Sequence, residues 1–82
     1  MSNEHTFGQD IIEFREQFMR DNPDITWMGI DADVDSGVRW RVAISCSNVS
    51  GNIEHLHGMS DLEGAALECL RRARFLAGQV AA

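Results

Sequence analysis

Residues Asp31-Ala32-Asp33-Val34-Asp35-Ser36-Gly37 set three carboxylates at i, i+2 and i+4. That spacing opens a calcium loop, in which alternate side-chain oxygens converge on a hard cation. The remainder of such a loop does not follow. The glycine comes one position late, Arg39 stands at the ninth position, and Val42 stands where a bidentate glutamate is required. The stretch reads as a solvated hairpin end, with weak calcium or magnesium binding as the alternative. His55-Leu56-His57 sets two imidazoles on one side of an extended segment. Two such histidines could begin a zinc site, but no further ligands lie near them in sequence. The first reading is a surface or partner-contacting pair.

Other chemistries are excluded by residue type. All seven basic residues are arginine, and there is neither lysine nor tyrosine. A Schiff-base lysine and a phosphate-loop lysine are therefore both ruled out. Ser45, Ser47 and Ser50 are ordinary strand and turn serines, with no base and orienting group beside them. With 82 residues, barrel and doubly wound enzymes are out of reach. The expectation is no enzyme, no cofactor and no bound metal.

The elements that position these residues follow from periodicity. Phe7, Ile11, Phe14 and Phe18 recur on one helical face. Thr6-Phe7-Gly8-Gln9 fits a capping box, and Asn22-Pro23 ends the segment, which predicts a helix over about Phe7 to Asp21. Ile25 to Asp33 is rich in β-branched and aromatic residues and predicts a strand. Gly37 can take the positive φ of a hairpin turn. Val38 to Ser47 is a second strand. Val38, Trp40, Val42, Ile44 and Cys46 line one face, against Arg39, Arg41, Ala43 and Ser45. Ile53 to Met59 makes a short third strand. Ser60-Asp61-Leu62-Glu63 is a capping box for a last helix, whose stripe includes Leu62, Ala65, Ala66, Cys69 and Ala73. Gly78 is its expected stop. Cys46 and Cys69 read as buried free thiols.

The fold class is therefore α+β, in the order α-β-β-β-α. A three-stranded antiparallel sheet carries both helices on one face, as a single domain over residues 1–82 with its core at about 7–78. The other face stays open. With Met28, Ile30 and Leu56 pointing inward, that face collects Trp27, Arg39, Arg41, His55 and His57. Trp and Arg are over-represented among residues that dominate binding energy. The bland alternative is a solvated sheet with arginine stacked on Trp27.

Thirteen acids against seven arginines leave a formal charge of −6. The acids concentrate before the hairpin turn. Such a surface is either a solvated face or a match for a basic partner. Direct nucleic-acid binding is disfavoured, because phosphate neutralisation needs a basic footprint. No apolar run of about 18 residues exists, so no membrane span is expected. Met1 to His5 lacks the basic and apolar regions of a signal peptide, which predicts a cytoplasmic location in the host cell. An exposed strand edge would be a route to a homodimer.

Two resemblances bear on function. The α-β-β-β-α order, with Gly58-Met59-Ser60-Asp61 leading into an Ala-rich helix, resembles the double-stranded-RNA-binding domain. That family's lysine cluster at the helix start is replaced here by Asp61 and Glu63. The likeness therefore implies shape, or a degenerate domain serving as an accessory or regulatory subunit. The Trp-centred strand Val38-Arg39-Trp40-Arg41-Val42, then Gly58, Ser60 and the Ala-rich helix, resembles small acidic bacteriophage and prophage proteins of the anti-CRISPR type. That resemblance implies a phage-encoded, non-enzymatic inhibitor of a host protein or nucleoprotein complex such as a CRISPR effector. The contact residues expected from the chain itself are Trp27, Arg39, Arg41, His55 and His57 on the sheet, or Asp31, Asp33 and Asp35 at the hairpin end.

Overall fold

The computed structural model describes residues 3–33, 37–46 and 54–81, with the side chains of 3–9, Glu54, His55, His57 and 79–81 outside that description. Along the chain run helix α1 (Asn3–Asp21), strands β1 (Ile25–Asp33), β2 (Arg39–Cys46) and β3 (Glu54–Met59), and helix α2 (Leu62–Ala81). The strands form one antiparallel sheet in the order β1-β2-β3, as short connections between successive strands require.

Helix α1 starts earlier than its expected cap. It is already running at Asn3, so Thr6 to Gln9 lie inside it. Its end is as expected: Asp21 is the last helical residue before Asn22-Pro23. The Asn22 side chain donates to the Phe18 carbonyl at 2.9 Å, satisfying one of the orphan acceptors of the last turn. At the start of α2 the cap sits one residue later than the sequence pattern indicates. The Asp61 carboxylate accepts from the Gly64 backbone N–H at 2.8 Å, and the Asp61 carbonyl accepts from Ala65 at 2.9 Å. Asp61, not Ser60, is therefore the N-cap, and the third helical position is a glycine that cannot reach back. Gly78 does not stop α2 either. Among the described residues only Gly37 has a positive φ, at 106°, and the helix continues to Ala81.

One apolar cluster joins all the layers. Phe18 of α1, Ile25 and Met28 of β1, Trp40, Val42, Ile44 and Cys46 of β2, and Ala65, Ala66, Cys69, Leu70 and Ala73 of α2 are all buried in it. The register pairs Met28 with Ile44, Ile30 with Val42 and Ala32 with Trp40, so these residues share the covered face. Helix α1 rests on β1, and α2 crosses β2 and β3. Alanine and cysteine on the inner side of α2 let that helix approach the sheet closely. Val38, expected on the inner face, precedes β2 and is exposed. No helix among the described residues is long and apolar enough to cross a membrane.

Candidate functional site

The uncovered face of the sheet is the natural place to look, because both helices occupy the other. A bulge decides what β1 shows there. Ile25 pairs with Cys46 and Trp27 with Ser45, so the ladder slips by one residue between Ile25 and Trp27. Ile25 and Met28 are then both buried although they lie three residues apart, and Trp27 faces outward at 47% exposure. Strict alternation would have buried Trp27 with Ile25.

The Trp27 ring lies over Gly29. A Cβ built on Gly29 would come within 2.6 Å of the far edge of the indole, so only glycine leaves this position open. Gly29 pairs with Ala43, and Ala43 with Leu56. Residues directly opposite in an antiparallel ladder share a face. The indole, the Ala43 methyl and Leu56, the last 64% exposed, form an apolar stripe across all three strands. At about 4.8 Å per strand, it runs roughly 10 Å.

Charge borders the stripe. Arg41 donates from Nη2 to Asp31 Oδ2 at 2.6 Å, directly across β1 and β2. Asp33 pairs in register with Arg39, and a shallow depression is lined by Asp33, Arg39, Arg41 and Gly58. Gly58 lies opposite Arg41 in the ladder. The acids at the hairpin end therefore sit in a cross-strand ladder with arginines, which competes with cation ligation. Asp35 lies outside the described residues. Among the described residues, no three His, Cys, Asp or Glu side chains are grouped to hold a metal ion.

The third strand corrects the sequence reading. Leu56 was expected inward and is outward, because it pairs with Ala43 rather than with a core residue of β2. The same register sets His55 opposite Ile44 and His57 opposite Val42, two positions of the covered face. Their side chains lie outside the described set. The structure thus brings Trp27, Arg39, Arg41, Asp31 and Asp33 onto one face with Leu56, and its register does not bring the two histidines into that row. Sequence reasoning placed Ala43 on this side of β2 and missed Leu56 and Gly29 as its neighbours there. A glycine two residues after an exposed tryptophan was the available signal for the close approach at Gly29.

A second polar cluster ties the ends of the elements together. Arg74 of α2 forks onto Asp24 with two bonds of 2.8 Å, and its Nη2 also donates to Asn22 Oδ1 at 3.0 Å. The Arg74 bond holds the Asp24 carboxyl below its usual value of 3.8, against the opposing effect of partial burial. The Cys46 thiol, 3.8 Å from Asp24, is raised by burial and by that neighbouring negative charge. Cys69 donates from Sγ to the Val42 carbonyl at 3.2 Å, and burial pushes its thiol up to about 11. Both cysteines are buried thiols outside any disulfide, and their raised values make neither a ready nucleophile.

Taken together, the fold and this surface define a class: a small α+β domain whose sheet is backed by helices on one side and open on the other. No protein-family model, no curated protein and no solved structure matches the chain.

Proposed function

We infer that the chain is a non-enzymatic binding protein that docks through the open sheet face and inhibits a host protein or nucleoprotein complex. A CRISPR effector is the partner we put first, with the chain encoded by a phage. One observation carries the docking reading. The Trp27 indole, Ala43 and Leu56 make a continuous apolar stripe on a face that no other described part of the chain covers. Exposed aromatic surface rimmed by arginine and carboxylate is the usual composition of an energetic centre and its polar rim. The inhibitor identity rests on the resemblance to small acidic phage proteins and on the charge of −6. An acidic body is drawn to the basic channels through which nucleoprotein machines hold nucleic acid.

The test is binding to purified CRISPR effector complexes, together with inhibition of their DNA binding or cleavage. Trp27→Ala and Leu56→Glu are each expected to weaken the complex by about 2 kcal/mol, roughly thirtyfold, while the thermal melt stays within a few degrees. Unchanged affinity in both variants removes the sheet face as the contact. If no effector is engaged, the CRISPR assignment fails. The degenerate RNA-binding reading is favoured by the α-β-β-β-α order and opposed by exposed Asp61 and Glu63 at the start of α2. Binding to double-stranded RNA that weakens steeply with salt would replace the first reading with it.

A further inference from the structure

The two edges of the sheet differ. On β1 the Met28 carbonyl accepts from Arg15 Nε of α1 at 2.6 Å, so a side chain stands where a further strand would bond. The edge at β3 carries no such stopper. It has β2 on one side and no strand on the other, and no described backbone group from another segment bonds to its outer side. In an antiparallel ladder, alternate residues turn both N–H and C=O to the same side. Every second residue of β3 therefore offers a donor and an acceptor outward, and an extended backbone is what fits such an edge.

The geometry points to a homodimer in which β3 pairs antiparallel with β3 of a second copy about a two-fold axis through Leu56, giving one six-stranded sheet. Three observations select this occupant and this register. Facing residues in an antiparallel pair must both turn their polar groups toward each other, so the axis passes through a residue rather than between two. An axis at His55 or His57 would set Leu56 against Glu54 or Gly58; only an axis at Leu56 sets this exposed apolar residue against its own copy. The same register sets Glu54 of each copy opposite Gly58 of the other. Gly58 is itself opposite Arg41, so an acidic and a basic position share one row across the seam.

The helices agree with that spacing. Helix α2 rests on β2 and β3, so its axis lies between them, inside the edge. Across the seam the two α2 axes are about two strand spacings apart, roughly 10 Å, which is the separation at which helices pack. The sheets therefore join without the helices colliding. The stoppered β1 edges end up at both sides of the larger sheet, so association closes at two copies and does not continue into a fibre. Trp27, Ala43 and Leu56 of both copies then lie in one row, and the apolar stripe of the open face is doubled.

Sedimentation equilibrium on the full chain up to millimolar concentration tests it. The expected mass rises to twice 9.2 kDa and no further. Leu56→Lys and Leu56→Glu are each expected to be monomeric with unchanged circular dichroism, and to form a mixed dimer when combined. Leu56→Cys is expected to join two chains through a short bismaleimide, because facing side chains in this register stand about 5 Å apart at Cβ. Val38→Cys, exposed but outside the seam, is not expected to join them, and Cys46 and Cys69 are buried. Trp27→Ala is expected to stay dimeric, which separates this inference from docking through the sheet face. A monomer mass for the unaltered chain overturns the proposal, as does a dimer that survives both charged variants. A mixture that stays monomeric, Leu56→Cys chains that do not join, or a dimer lost in Trp27→Ala also overturns it. Amide protection in β3 that appears only on adding a CRISPR effector would give the edge to a partner strand instead.

Discussion

Gly29 and Trp27 show how a single missing side chain can shape a surface. The indole occupies the space where a Cβ would stand, and the ring is half exposed, so it can swing away at small cost. Gly29→Ala is therefore expected to leave stability within about 1 kcal/mol of the parent while displacing the indole and breaking the apolar stripe. Nitrogen-labelled spectra should show one indole N–H resonance moving, that of Trp27, while the buried Trp40 stays in place. An unmoved Trp27 resonance would mean the ring does not lie on Gly29. Affinity for the partner should fall in this variant as it does in Trp27→Ala. No contact with the partner need be deleted to produce that loss.

At the scale of elements, the ends of the helices carry their own tests. Asp61 caps α2 through the bond to Gly64, so Asp61→Ala is expected to cost about 1 kcal/mol in a denaturant melt. Ser60→Ala should be nearly neutral, although the sequence pattern marks Ser60 as the cap. Equal effects of the two would place the cap at Ser60 after all. The strands show a similar one-residue sensitivity. The bulge near Thr26 turns Trp27 outward, and the pairing of Ala43 with Leu56 turns Leu56 outward. Because side chains alternate with a period of two, each slip reverses every residue beyond it.

For the molecule as a whole, the Arg74–Asp24 fork joins residues fifty positions apart and fastens α2 to the corner between α1 and β1. Two aligned bonds on a partly shielded carboxylate make it worth more than an ordinary surface pair, about 1 kcal/mol. Asp24 is held below its ordinary value in the fold, so the contribution is complete above the unfolded value near 3.8. It fades as the pH falls through the lower folded value. Arg74→Ala is expected to lower the melting temperature at neutral pH and to reduce the loss of stability on acidification. Equal stability losses for parent and variant between neutral and strongly acid pH would show that the fork does not supply this dependence.

Read from the chain alone, the order of elements was accessible because each carries its own period. Phe14 and Phe18 mark one helical face, Trp40, Val42 and Ile44 one strand face, and the β1 range came out as observed. The covered face of β2 and the exposure of Arg39 and Arg41 were legible for the same reason, since alternation within one strand is a local property. The absence of lysine and the charge of −6 needed no structure at all. What tertiary structure decided was every choice that depends on a second segment. Leu56 between two histidines can face either way, and only its pairing with Ala43 selects the open side. The cap of α2 moved to Asp61 because the helix starts where the end of β3 delivers the chain. The stripe of Trp27, Ala43 and Leu56 has no counterpart in local sequence, because its members come from three strands and meet only when the registers are set.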